Sequence, residues 1–273
     1  MTPENLLHLL QTTQKCTFGC PIIDRSVGGG VACNSLTEIV SESGCGKTQL
    51  CLQLCHCAQL PLSLGGLKAA SLYIHTEFPF PFRRLQQLSQ AFSSSYPQIS
   101  NPSDHIFVEP VHSAQQLFDI MPKIESFLAN RDSPLPTRLI VIDSIAALFR
   151  SDFDNTPSDL KRRSALFFKI SGKLKLLAKR YSLAVVLTNQ SLCSSGRRVC
   201  PALGIAWANC VNSRLFLSRN EEVVGEGDGV VNGGELAQRR TRRWLHVVFA
   251  PHLPKSSCEY VINRQGVVGV ESQ

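Results

Sequence analysis

The chain has 273 residues, 43% of them hydrophobic and 18% charged. Those proportions fit a globular protein with one large core and exclude a chain that is disordered throughout. A formal charge of +7, with clusters at Lys161–Arg163, Arg197–Arg198 and residues 239–243, leans towards an anionic partner, nucleic acid first. No apolar run approaches the ~20 residues of a membrane-crossing helix. Residues 1–15 lack the basic region, apolar stretch and cleavage site of a secretory leader, so no membrane role is expected.

In chain order, Leu6 to Leu10 predict a short helix within an N-terminal linker, residues 1–34, that forms no separate domain. From 35 to 273 a single core is expected. "SLTEIV" (35–40) reads as a buried strand entering a glycine loop. "TQLCLQLCHCAQL" keeps Leu50, Leu54 and Cys57 on one helical face until Pro61 ends it. "SLYIHT" (71–76) is a second strand, followed by a helix over 82–92. "HIFVEPV" is a third strand, after which Ser113 caps a helix through Leu128. "RLIVIDS" (138–144) is an apolar strand ending on an acid. An amphipathic helix over 158–181 leads into the strand "LAVVLTNQ" (183–190).

Strands alternating with helices predict an α/β fold, a mostly parallel twisted sheet with helices on both faces. The last third changes character. "VNSRLFLS", "WLHVVFAP" and "CEYVIN" read as extra strands extending that sheet, and the acidic, glycine-rich stretch between the first two as a surface loop. The eleven cysteines include no C-x-x-C pair and are read as small buried hydrophobes rather than zinc ligands.

"SESGCGKTQ", Ser41, Glu42, Ser43, Gly44, Cys45, Gly46, Lys47, Thr48 and Gln49, departs from the usual phosphate-binding loop only in Ser41, where a glycine is expected. Amide groups at a helix start favour phosphate. Lys47 would reach the β- and γ-phosphates, and the Thr48 hydroxyl would ligate Mg²⁺. Ser41 is tolerable because its position needs a turn rather than the closest approach to phosphate. Asp143, ending an apolar strand, suits a hold on Mg²⁺ through water. Glu77 is either a general base beside the γ-phosphate or a surface acid. Gln190, ending the last core strand, could report the γ-phosphate. All four groups would then meet at the carboxyl ends of adjacent strands, where open α/β sheets bind ligands.

The ordered segments "GCGKTQ", "LYIHTEFPFPFRRLQQL", "RLIVIDSIAALFRSDF", "LAVVLTNQ", "PALGIAWANCVNSRLFL" and "APHLPKSSCEYVINRQGV" together resemble the RecA-type recombinases of eukaryotes. Within that family, the loop without a first glycine and "GIAWAN" (204–209) resemble a recombinase paralog. The resemblance implies a RecA-like P-loop ATPase core using ATP and Mg²⁺. Lys47 and Thr48 match the Walker A pair, Glu77 the catalytic glutamate, Asp143 the Walker B acid and Gln190 the ATP-sensing glutamine. Arg84 falls where the family stacks an arginine on adenine. Arg150, Lys161, Arg162 and Arg163 match a first DNA loop, and Arg197 and Arg198 a shortened second one. The short segment after Gln190 is either natural or the mark of a variant lacking a piece.

The resemblance further implies homologous-recombination repair of DNA in the nucleus, with some cytoplasmic presence, and a meiotic role. Its expected partners are single-stranded or branched DNA, a second recombinase paralog as a heterodimer and the main recombinase filament. Two rival readings stay open: a catalytically silent ATP-bound scaffold, and a small-molecule P-loop kinase.

Overall fold

The computed structural model describes residues 13–77, 79–130, 133–150, 153, 156–194, 198–224 and 238–271. A small antiparallel pair, β1 (Lys15–Cys16) and β2 (Val31–Ala32), flanks helix α1 (Pro21–Ser26). The central sheet begins with β3 (Ser35–Ser41), which leads into α2 (Lys47–Cys57). Then come β4 (Ala70–His75), α3 (Phe82–Ser95) and β5 (Ile106–Pro110). Two short helices, α4 (Ala114–Asp119) and α5 (Met121–Ala129), precede β6 (Thr137–Asp143). α6 (Ile145–Arg150) and the long α7 (Pro157–Tyr181) lead into β7 (Ala184–Ser194). β8 (Arg198–Pro201) and α8 (Gly204–Ala208) follow, and the chain closes with β9 (Ser213–Val224), β10 (Gln238–Phe249), β11 (Ser257–Ile262) and β12 (Val267–Val270).

The sheet runs in the order β12-β11-β10-β9-β3-β7-β6-β4-β5. From β9 to β5 every neighbouring pair is parallel; from β9 to β12 every pair is antiparallel. The RecA-like class and the extra C-terminal strands are therefore both present. β3 lies between β7 and β9, so the strand that feeds the glycine loop is covered on both edges and both faces. That burial is why its sequence is a near-continuous apolar run rather than an alternating one.

Successive residues along each core strand feed opposite faces. Tyr73, Leu139, Val141 and Val186 join one hydrophobic cluster, beneath α2 and α3. Leu72, Ile74, Ile140, Ile142, Val185 and Leu187 join the other, beneath α4 to α8. Nine cysteines among the described residues are buried with free thiols, six of them in α2 or the N-terminal segment. Burial alone pushes the thiols of Cys33 and Cys55 up, to about 11 and about 12, as expected of cysteines acting as small hydrophobes.

Three readings of the chain change with the structure. The linker expected over 1–34 carries part of the core: Cys16, Phe18, Ile23, Val27 and Val31 are buried in the α2-side cluster. The short helix expected at Leu6 to Leu10 lies outside the described residues. The helix expected from Ser113 through Leu128 is two helices, α4 and α5. Ser113 does cap the first, accepting from the Gln116 amide at 3.0 Å, but Pro122 in the first turn of α5 restarts the chain after Ile120. Finally, β7 continues past Gln190 to Ser194 and pairs antiparallel with β8, so the described residues of the short stretch after Gln190 are strand. The glycine-rich stretch over 225–237 lies outside the described residues.

Candidate nucleotide-binding site

Ser41 is the last residue of β3, fully buried, in extended backbone, so its φ makes no demand for glycine. It also does more than form a turn. Lys47 donates from Nζ to Ser41 Oγ at 3.0 Å, to the Ser41 carbonyl at 3.0 Å and to the Glu42 carbonyl at 3.1 Å. Burial pushes the Lys47 ammonium down from its ordinary pKa, while Asp143, Cys45, Glu77 and Cys51 push back towards the charged form. No carboxylate pairs with Lys47 among the described residues, so its charge is available to an anion.

Gly46 precedes α2 at φ +103°, and a Cβ there would fall 2.5 Å from Ile262 Cδ1. The positive φ is what favours glycine, since the Ile262 methyl could move aside. The Tyr260 hydroxyl donates to the Cys45 carbonyl at 2.6 Å, fastening the loop to β11. The first amides of α2 lack intrahelical acceptors and converge on the turn that these contacts hold.

Asp143 is gripped by three hydroxyls. Thr48 donates to Oδ2 at 2.7 Å, Tyr73 to Oδ2 at 2.6 Å and Thr188 to Oδ1 at 2.5 Å. An oxygen-only set of this kind suits a hard divalent cation. Sequence reasoning found Thr48 and Asp143 but missed Tyr73 and Thr188. The signal for Thr188 was a hydroxyl ending the apolar run 183–187, whereas Tyr73 lies among other polar residues of β4 and gave none.

Glu77 and Gln190 sit at the same edge. Glu77 follows β4 with its side chain 56% exposed, and Gln190 is the last residue of β7 in register with β3, opposite Ser41. Between them lies Arg150, which donates to Gln190 Oε1 at 2.5 Å and to Glu77 Oε1 at 3.3 Å. Arg150, expected as a DNA phosphate contact, touches both residues expected to sense and cleave. Arg84 is held by Gln49 Oε1 at 2.6 Å and by the carbonyls of Asn263 at 2.7 Å and Arg264 at 3.1 Å. This fixes its guanidinium between the start of α2 and the β11–β12 turn.

Of the other basic candidates, Lys161 and Arg162 are exposed on the first turns of α7. Arg162 pairs with Asp159 at 2.9 Å and lies 5.8 Å from the Phe153 ring centre. Arg163 turns inward: it is half-buried over Phe167 at 5.3 Å, and its Nε is buried without a partner, so its reach towards a ligand is less than its sequence neighbours suggest. Arg197 lies outside the described residues, and Arg198 is placed only by its backbone in β8.

Beneath the site is a polar group that the sequence did not reveal. Glu38, fully buried in β3, accepts from Asn189 Nδ2 at 2.7 Å, Trp207 Nε1 at 2.8 Å and Arg214 Nε at 2.5 Å. It thus joins the strand of the phosphate loop to the residue beside Gln190 and to α8.

A phosphate loop after a central parallel strand, with a hydroxyl-bound acid two strands away, places the molecule among RecA-like P-loop nucleotide-binding proteins. Comparison with known proteins then narrows the class. Residues 10–203 match the Rad51 family. The chain is 54% identical to the DNA repair protein XRCC3 homolog of Arabidopsis thaliana, across 99% of this chain and 98% of that one. It is 35% identical to DNA repair protein XRCC3 of Mus musculus, across 97% and 80%. It is 30% identical to DNA repair protein RAD51 homolog 2 of Homo sapiens, across 90% and 66%. The chain belongs to the Rad51 family. The first of these alignments spans 297 positions, more than the chain's own length, so that relative has residues with no counterpart here.

Proposed function

We propose that the chain binds ATP and Mg²⁺ at this site and hydrolyses the nucleotide slowly in response to DNA. Its role on this reading is in homologous-recombination repair, as a Rad51-type paralog paired with a second paralog in the nucleus. The observation that carries the proposal is the meeting of Lys47, Glu77 and Asp143 at the carboxyl ends of β3, β4 and β6 with Gln190, the last β7 residue in register with β3. The relatives' names, all DNA repair proteins, support the setting.

On this reading the amides of residues 44–48 and Lys47 hold the phosphates, and Arg84 supports the base. The oxygen set of Thr48 and Asp143 fits Mg²⁺, which when bound offsets phosphate charge. Glu77 takes a proton from water at its carboxylate, and Gln190 meets the γ-phosphate through its amide. Lys161 and Arg162 offer charge to a DNA backbone.

ATP turnover with and without single-stranded DNA tests the reading. Glu77→Gln keeps the shape and removes the base, so nucleotide affinity should persist while turnover drops by about 100-fold or more. Undiminished turnover would make Glu77 a structural acid. A silent ATP-bound scaffold is the second reading, and the hold of Arg150 on both Glu77 and Gln190 favours it. Stabilisation by ATP and Mg²⁺ without turnover, even with DNA, would establish it.

A further inference from the structure

Arg150 closes α6, seven residues past Asp143, and forks between two strands' ends. One guanidinium nitrogen donates to Gln190 Oε1 and another to Glu77 Oε1. The Arg150 and Glu77 side chains are 49% and 56% exposed, so the pair lies in water. Exposed pairs shift equilibria by only about two- to five-fold. At 3.3 Å and through one oxygen, the contact with Glu77 is also poorer than the two-pronged grip a guanidinium makes on phosphate. A weak clamp on a catalytic pair, open to solvent, can be displaced.

We propose that Arg150 is a positioning residue coupling the DNA face to the nucleotide site. In the free protein it holds Glu77 and Gln190 together; a backbone phosphate that captures its guanidinium releases both. The inference rests on the reading of Glu77 as the base and of DNA as the partner. Chain continuity supports the choice of anion. The next described basic residues, Lys161 and Arg162, are exposed at the start of α7, the helix that follows α6. Arg150, Lys161 and Arg162, the last paired with Asp159 at 2.9 Å, give a polyanion successive contacts that a single small anion would not use.

Coupling of this kind is reciprocal: whatever loosens Arg150 from Glu77 must strengthen binding through Arg150. The test is a double-mutant cycle on affinity for a single-stranded oligonucleotide, read by fluorescence anisotropy without nucleotide. Glu77→Gln should tighten binding about two- to five-fold, and Arg150→Gln should weaken it. In the Arg150→Gln background, Glu77→Gln should then have no effect. Persistence of the gain in that background would reduce it to general charge removal and overturn the proposal, as would the absence of a gain. Arg150→Lys, which keeps the charge but not the fork, should show an intermediate coupling and replaces Arg150→Gln if that variant fails to fold.

Turnover supplies an independent readout. Arg150→Gln should raise the DNA-free ATPase rate towards the DNA-stimulated rate of the unaltered protein. A closed cycle in a protein that never hydrolyses ATP would retire the hydrolysis reading and leave the coupling standing. DNA-stimulated turnover with an open cycle would do the reverse.

Discussion

Replacing Glu38 should destabilise the protein more than any change at the surface of the site. Its carboxylate is fully buried and accepts three bonds, one from the Arg214 guanidinium, itself only 14% exposed. Glu38→Ala leaves a buried cation with no counter-charge and orphans the Trp207 and Asn189 donors. Breaking one side of a buried pair costs about 3–5 kcal/mol, and Glu38→Gln, which keeps two acceptor contacts but turns an amide towards Arg214, about 2–3 kcal/mol. At roughly 2–4 °C per kcal/mol for a chain of this size, Glu38→Ala should lower Tm by about 10 °C. Urea unfolding should show a lower midpoint at unchanged m-value. Replacing both members, Glu38→Met with Arg214→Met, should cost much less than the two single changes added together, because no charge is stranded. Single-variant losses below about 1 kcal/mol, or strict additivity, would refute the account of Glu38 as the counter-charge of Arg214.

Lys47→Ala should weaken binding of a fluorescent ATP analogue at least about tenfold, whereas Ser41→Gly, which removes one of three Lys47 acceptors and leaves both carbonyls, should change it far less. Equal losses would mean that the Ser41 hydroxyl, not the loop backbone, places the lysine. His56 donates from Nδ1 to the Leu52 carbonyl and faces Ser89 through Nε2, and burial holds its pKa down to about 4. The unfolded chain takes the proton first, so stability present above pH 6.5 is lost as pH falls towards 4, by about 3 kcal/mol from this group. His56→Gln should flatten that part of the pH–stability curve, and an unchanged slope would assign it elsewhere. Charge reversal of Arg162 should weaken DNA binding and its salt dependence more than reversal of Arg163, whose guanidinium packs on Phe167. Alanine at Arg197 and Arg198 should matter less than either.

Much of this protein could be read along the chain. The runs in β3, β4, β6 and β7 are apolar because both faces of those strands are buried, and burial leaves its mark residue by residue. The spacing of Gly44, Gly46, Lys47 and Thr48 is local too, since a phosphate loop is one turn and its helix start. Pro122 was equally local, and its power to restart a helix was legible though missed. Other features depended on which strands become neighbours. Tyr73 and Thr188 grip Asp143 only because β4 and β7 flank β6. Glu38 finds Arg214 only because β9 returns beside β3, 176 residues later. Arg150 sat in the sequence among residues expected to meet DNA, and the short helix α6 swung it back over Glu77 and Gln190. By itself the sequence determined the elements and the phosphate loop, because periodicity and turn chemistry act over a few residues. Only the tertiary structure decided which side chains share the site, because pairings across 40 to 179 residues depend on how the whole sheet is assembled.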